Sequence, residues 1–142
     1  MRLLLLSLLA VVAILATPAH AADTPGLAEY KAGNYAAAMT AFRQAAEAGN
    51  ADARYWLGRM YDAGQGVAAD PVQALKLFEA AGEAGHSEAM RLVGVYYEEG
   101  KGVSEDYEAA VRWFTRAANA GNAKAMRNLG TMYIDEIGRA HV

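Results

Sequence analysis

The chain of 142 residues contains no cysteine and only three histidines. Without cysteine it can form no disulfide, no thiolate zinc site and no Cys–His dyad. His20 and His141 lie near the two ends, which leaves His86 as the one histidine in the middle of the chain. Ser87 and Ser104 stand at the starts of predicted helices, where serine usually acts as a cap. The composition therefore predicts a protein with no catalytic residues, no metal site and no cofactor.

Charge is sparse and balanced, with 13 Lys and Arg against 16 Asp and Glu and a formal net charge of −3. The acidic residues are distributed along the chain, which argues against a nucleic-acid partner. Glu98-Glu99 and Glu105 could supply a carboxylate pair for sugar chemistry. We prefer the interpretation that they form a solvated acidic face.

A tandem repeat of 36 residues is the dominant feature of the sequence. A fixed period of this length is typical of solenoid proteins, in which each repeat packs only on its neighbours. The positions that recur include Gly49/Gly85/Gly121, Ala53/Ala89/Ala125, Gly58/Gly94/Gly130, Tyr61/Tyr97/Tyr133 and Phe78/Phe114.

Each repeat predicts a helical hairpin. Apolar residues recur at three- and four-residue spacings on both sides of the segment Gly64-Gln65-Gly66-Val67, whose glycines allow the chain to reverse. Asp70 and Pro71 then have the residue types of a helix cap and a first helical position. Gly58 and its copies lie within the first helix, where glycine costs about 1 kcal/mol relative to alanine, so we expect a close helix crossing at that point.

The pattern A-x-x-x-L-G-x-x-Y-x-x-G-x-G-V-x-x-D-x-x-x-A-x-x-[FW]-x-x-A-A resembles the Sel1-like repeat, a longer relative of the tetratricopeptide repeat. The resemblance implies an all-α fold, an α-solenoid of antiparallel helical hairpins, and a non-catalytic scaffold that binds a protein or peptide. The alternative is a hydrolase acting on a β-lactam or cell-wall substrate, because some secreted relatives have been linked to β-lactams. Those relatives resemble a disulfide-rich subgroup, whereas this chain has no cysteine.

The first residues have the pattern of a secretory signal peptide. Arg2 is followed by an apolar run at residues 3–16 and by Ala19-His20-Ala21, which predicts cleavage after Ala21. The run is shorter than the roughly 20 residues needed to span a bilayer. We therefore expect a periplasmic or extracellular protein with no membrane insertion after cleavage; an uncleaved membrane anchor is the alternative.

The end of the sequence departs from the repeat. After Tyr133 the register requires Gly-x-Gly-Val, but residues 136–142 read Glu-Ile-Gly-Arg-Ala-His-Val, which the start of a common sequencing adaptor can encode. We expect that these residues are a sequencing-adaptor artefact and that the natural protein continues. The predicted units are the signal peptide 1–21, a degenerate tetratricopeptide-like hairpin 22–48, Sel1-like repeats 49–84 and 85–120, the first helix of a truncated repeat 121–135, and the adaptor segment 136–142.

The resemblance also implies that the first helices of the hairpins line a concave surface. Helix positions 2, 5, 9 and 12 are predicted to face it, and there the repeats differ while their packing positions agree. Arginine there could bind an acidic peptide segment or a C-terminus. The predicted partner-binding residues are Tyr55, Arg59, Glu88, Arg91, Val95, Glu98 and Arg127. His86 takes the position held by Asn50 and Asn122 and is interpreted as a turn residue.

Overall fold

A computed structural model describes residues 24–140, which contain seven α-helices and no strand. The predicted signal peptide at residues 1–21 lies outside the described residues, as do residues 141 and 142. The helices are α1 Leu27–Lys31, α2 Tyr35–Glu47, α3 Ala51–Ala63, α4 Pro71–Glu83, α5 Ser87–Glu99, α6 Tyr107–Asn119 and α7 Ala123–Ala140.

The main helix contacts join consecutive helices, from α1 on α2 through to α6 on α7. The predicted all-α repeat solenoid is therefore confirmed. No helix between residues 24 and 140 is both long enough and apolar enough to cross a membrane.

The turns form where the sequence predicts them, but two of the caps differ. Gly64 ends α3 with φ 66°, and Asp70 accepts hydrogen bonds from the backbone N–H groups of Val72 and Gln73 at the start of α4. The prediction that Ser87 and Ser104 cap helices is wrong. His86 caps α5 and Asp106 caps α6, because their side chains accept from the N–H three residues later.

A phenylalanine ring lies against a glycine at each close helix crossing. A Cβ on Gly58 would lie 2.7 Å from the ring of Phe78, and one on Gly94 would lie 2.7 Å from the ring of Phe114. Both rings are fully buried. The predicted close crossing is confirmed at these two glycines. At Gly130 no described atom outside its own helix lies within 4 Å of the Cβ position, as expected for the first helix of a truncated repeat.

Helix α7 is longer than predicted. The sequence predicts an end near Asp135, where the matching helices α3 and α5 stop, but α7 continues to Ala140. Glycine in the left-handed conformation ends α3 at Gly64 and α5 at Gly100, whereas Glu136 stands at the matching place and allows the helix to continue. The adaptor origin of residues 136–142 stays a prediction.

Candidate functional site

The predicted partner-binding residues belong to one series of positions on the first helices α3, α5 and α7. We call the series the first-helix row. Its members are Asp52, Tyr55, Arg59 and Asp62 on α3, Glu88, Arg91, Val95 and Glu98 on α5, and Lys124, Arg127, Thr131 and Ile134 on α7.

His86 joins the first two repeats at one end of this row. Its Nδ1 accepts a hydrogen bond from the N–H of Ala89 at 3.1 Å, and its Nε2 lies 3.3 Å from Oδ1 of Asp52. Its ring also stacks on Tyr55, with ring centroids 4.4 Å apart. Burial lowers the pKa of His86 and outweighs the opposing charge of Asp52. The imidazole is therefore neutral at pH 7, with its proton on Nε2 facing Asp52.

Tyr55 positions Arg59. The Tyr55 side chain is only 8% exposed, and its hydroxyl accepts a hydrogen bond from Nη1 of Arg59 at 2.9 Å. Burial alone would lower the pKa of Arg59, but the hydrogen bond with Tyr55 and the nearby charge of Asp62 together raise it. The guanidinium thus stays cationic while half-buried. It uses one of its five N–H donors within residues 24–140.

Asp62 links α3 to the next repeat. Its Oδ1 accepts a hydrogen bond of 2.5 Å from the hydroxyl of Tyr96 and a charge-assisted one from Lys101. Burial alone would raise the pKa of Asp62, but these two donors hold it below its ordinary value. Burial and the bond to Asp62 also raise the pKa of Tyr96. The Asp62 carboxylate therefore stays charged, and its charge is balanced by donors within the protein.

Glu88, which matches Asp52 one repeat earlier, also finds its hydrogen-bond donors within the protein. It accepts two hydrogen bonds from Arg91, at 2.8 and 3.1 Å, and a third from Asn122 at 2.9 Å. Asn122 caps the next first helix just as His86 caps α5, since its side chain accepts from the N–H of Ala125. A carboxylate at position 2 thus contacts the following cap residue at both junctions, between the two full repeats and between the second of these and the truncated repeat.

The other predicted residues are isolated from these groups. Val95 packs beside the buried cluster around Phe114. Glu98 is half-buried and its carboxylate has no hydrogen-bond or ion-pair partner among residues 24–140; burial, then the charges of Glu99 and Asp135, raise its pKa. Arg127 is exposed, and its guanidinium has no described partner either.

Three residues that contact the α3 part of the row were not predicted. His86, Tyr96 and Lys101 come from the neighbouring repeat, so a search along α3 alone does not find them. The cap role of His86 could have been predicted, because it occupies the repeat position of Asn50 and Asn122. All three side chains accept a hydrogen bond from a backbone N–H in the first turn of the following helix. Within residues 24–140, no group of His, Asp and Glu side chains could hold a metal ion.

Stacked helical hairpins of 36 residues, with a phenylalanine packed against a glycine in each full copy, define an α-solenoid repeat protein. The Sel1 repeat model matches residues 51–86, 87–122 and 123–138, which together are more than half of the chain. The chain belongs to the Sel1 repeat family, whose members typically act as protein-interaction modules.

Solved structures agree with this assignment. A Sel1 repeat protein from Oxalobacter formigenes is 32% identical with a TM-score of 0.75, over 78% of this chain and 46% of that one. A protective antigen of uropathogenic Escherichia coli strains with the SLR fold is 35% identical with a TM-score of 0.69, over 76% and 26%. Cysteine-rich protein B of Helicobacter pylori, at 24% identity and a TM-score of 0.63 over 65% and 69%, supports the fold alone.

The chain spans less than half the length of the first two of these proteins. No curated protein matches it.

Proposed function

We propose that the protein is a non-catalytic scaffold of the bacterial cell envelope that binds a protein or peptide along the first-helix row, on the concave face of the solenoid. The fold supports this proposal because stacked hairpins expose one continuous face of their first helices. The row is also where the repeats differ in side chain while sharing their packing residues.

The observation that carries the proposal is an imbalance in charge satisfaction. Three of the four carboxylates in the row, those of Asp52, Asp62 and Glu88, contact donors within the protein, and only that of Glu98 does not among residues 24–140. In contrast, Arg59 uses one N–H donor and Arg127 uses none among residues 24–140. Arginine donors left over on a binding face favour a partner that brings carboxylates, since the guanidinium fork binds them in a bidentate way.

Arg59 is better preorganised for binding a partner than Arg127. Its hydrogen bond to the buried Tyr55 restricts the side chain before any partner arrives. Restriction in the free protein lowers the entropy lost on binding. We therefore expect Arg59 to contribute more to affinity than Arg127, which is exposed.

Location is a separate part of the proposal. The apolar run and the Ala19-His20-Ala21 site would direct export and cleavage after Ala21. Expression of the full chain in a bacterium, followed by N-terminal sequencing of the periplasmic fraction, tests it. A mature N-terminus at Ala22 is the expected result, and an uncleaved chain in the membrane fraction contradicts it.

The binding experiment selects partners from random 12-residue peptides and then measures affinity by fluorescence anisotropy. We expect enrichment of Asp and Glu. The double variant Arg59→Ala/Arg127→Ala should bind the selected peptides about 30-fold more weakly, which is the effect of losing a good interface arginine.

The matched control is Arg43→Ala/Arg112→Ala, which removes two arginines from the second helices α2 and α6. This control should bind as the wild type does. Equal losses in both double variants would mean that attraction depends on net charge alone, and selection of peptides without acidic residues would contradict the proposal.

The same samples test the absence of catalysis. Both ring nitrogens of His86 are engaged, by the Ala89 N–H and by Asp52, so this histidine is not free to act as a base. We expect no hydrolysis of a chromogenic cephalosporin above the buffer rate. Turnover that His86→Asn abolishes would favour a hydrolase instead.

A further inference from the structure

Two cations from different repeats lie beside the carboxylate of Asp62. Lys101, in the turn after α5, donates a charge-assisted hydrogen bond to Asp62, and its ammonium lies 4.9 Å from the centroid of the Tyr96 ring. Arg59 stands three residues before Asp62 on α3, a spacing that places two side chains on the same helix face. The charge of Arg59 also acts on both Asp62 and Tyr96. Arg59 and Lys101 therefore flank one carboxylate where α3 meets α5.

This group carries more positive than negative charge. Arg59 and Lys101 bring two positive charges against the single negative charge of Asp62, whose pKa lies below its ordinary value. Glu99, which is exposed, adds negative charge that acts on Tyr96. One further carboxylate would balance the two cations, whereas the two negative charges of a phosphate would exceed the charge that remains.

Both cations also keep hydrogen-bond donors for a ligand. Within residues 24–140, Arg59 uses one of its five N–H donors, on Tyr55, and Lys101 uses one of its three, on Asp62. The Lys101 side chain is 41% exposed and Arg59 is only half-buried, so a partner in the groove can reach the two together.

We propose that Arg59 and Lys101 together bind one side-chain carboxylate, supplied by an Asp or Glu within the partner peptide. The inference rests on the proposed function and extends it in two ways. It adds Lys101, which lies outside the first-helix row, to the binding residues, and it assigns the bound anion to the carboxylates rather than the phosphates. Asp62 and Tyr96 are positioning residues, because their contacts hold the Lys101 ammonium beside α3.

The place of the site in the solenoid favours a side chain over the end of a peptide. The rings of Tyr30 on α1 and Trp56 on α3 lie 5.0 Å apart, and the hydroxyl of Tyr96 on α5 donates to Asp62 on α3. Helix α3 thus has a first helix on each side. A peptide that follows the row therefore passes this site and presents a side chain to it.

The probe is the tightest 12-residue peptide from the random-peptide selection, labelled with fluorescein at its N-terminus and amidated at its C-terminus. Lys101→Met removes the ammonium while keeping the length of the side chain, and it should weaken binding about fivefold, the value of one good ion pair. Lys101→Arg keeps the charge and should retain most of the affinity. The matched control is Lys76→Met, because Lys76 is exposed on the second helix α4 and should not affect binding.

The sharpest test is Asp62→Asn, which should strengthen binding. The asparagine oxygen can still accept from Tyr96, while the loss of one negative charge frees Lys101 and raises the net positive charge of the group. We expect about a fivefold increase in affinity for the same probe. Glu79→Gln is the matched control, because it removes one negative charge from α4 and keeps an acceptor for Tyr97. It should leave the affinity unchanged, and damage to the fold would weaken binding rather than strengthen it.

Variants of the peptide identify the anion. Replacing each Asp or Glu of the probe by its amide should reveal one position whose loss is not made worse by Lys101→Met. Phosphoserine at that position should bind more weakly than the carboxylate. Tighter binding of phosphoserine would overturn the assignment to carboxylates, and a peptide that binds only with a free C-terminus would overturn the assignment to a side chain.

Failure of this inference can be told apart from failure of the proposed function. Selected peptides without acidic residues would contradict both. Acidic peptides whose binding falls in Arg59→Ala, but is unchanged in Lys101→Met and in Asp62→Asn, would leave the proposed function standing and remove Lys101 from the site.

Discussion

Helices α5 and α7 carry the same landmarks 36 residues apart and have opposite surroundings. Met90 on α5 is 7% exposed, while its counterpart Met126 on α7 is 53% exposed. Gly94 contacts a phenylalanine ring, while nothing lies within 4 Å of the Cβ position of Gly130. The two helices differ because α6 covers α5 and no described helix covers the same face of α7.

The comparison separates two roles of the repeated sequence. The first helix of each repeat supplies a glycine face, and the second helix supplies the ring that fills it. The glycine face recurs on α7, where no described helix supplies the ring. In a solenoid the stabilising energy lies in such interfaces between neighbours, so α5 and α7 should respond very differently to the same mutation.

The largest effect is expected on removing the ring that fills α5. Phe114→Ala deletes a fully buried side chain and leaves a cavity beside Gly94. The free energy of unfolding should fall by about 3–5 kcal/mol. Tyr133→Ala on exposed α7 is the control, and urea unfolding followed by circular dichroism should place it within about 0.5 kcal/mol of the wild type. Similar losses in both variants would show that α7 is covered in solution.

The next largest effect on stability is expected from adding a side chain at the glycine that contacts the ring. In Gly94→Leu the new side chain would meet the Phe114 ring, whose nearest carbon is 2.7 Å from the Cβ position. We expect a loss of about 3 kcal/mol, at the upper end for overpacked sites. Gly130→Leu, in open space, should be neutral or gain up to about 1 kcal/mol from better helix propensity. An unchanged melting temperature for Gly94→Leu would contradict the close-packing argument.

The fold was predictable because its determinants repeat. Gly64, Asp70 and Gly58 each recur one period later, so the turns within the full repeats, the caps of α4 and α6 and the two close crossings were each marked twice in the sequence. The end of α7 was not predictable in this way, since residues 136–140 depart from the repeat sequence and Glu136 stands where Gly64 and Gly100 end α3 and α5.

The candidate site was less predictable than the fold. The row positions on each helix follow from helical spacing, but their partners come from other repeats, as when Lys101 reaches Asp62. Burial also divides the row, because Tyr55 is mostly covered while Arg127 is exposed. Such differences depend on the side chains that neighbouring repeats bring together, and spacing within a single helix contains no information about them.

The third prediction compares the carboxylates at position 12 of α3 and α5, which are Asp62 and Glu98. Asp62→Ala leaves the hydroxyl of Tyr96, which is 2% exposed, without its acceptor and removes the partner of Lys101. It should cost about 1–2 kcal/mol. Glu98→Ala removes a carboxylate with no described partner, next to the charges of Glu99 and Asp135, and should leave stability unchanged or slightly higher. Equal losses would mean that Glu98 has a partner in solution.

The pH dependence of these two variants should differ in sign. The pKa of Asp62 is lower in the folded protein than its ordinary value of 3.8, so its stabilisation is present above that pH and is lost as the pH falls through the folded value. The gap between wild type and Asp62→Ala should therefore close in acid. The pKa of Glu98 is raised instead, so acidification removes its unfavourable charge and wild type should gain relative to Glu98→Ala.

The smallest effect concerns the two cap residues that join the repeats, His86 and Asn122. Burial holds the pKa of His86 below 6.5 despite the nearby charges of Asp52 and Glu88. The folded state thus binds this proton less tightly than the unfolded state, so the stability that His86 contributes is complete above about pH 6.5 and is lost as the pH falls through the folded value.

His86→Asn should keep the cap, as Asn122 does, and show a smaller decrease in unfolding midpoint from about pH 7.5 to about pH 5.5. His86→Ala loses the cap and should be about 1 kcal/mol less stable than the wild type at about pH 7.5, with a smaller difference at about pH 5.5. An identical pH response in wild type and His86→Asn would show that the imidazole is not buried against Tyr55 in solution, and the first junction would then resemble the second.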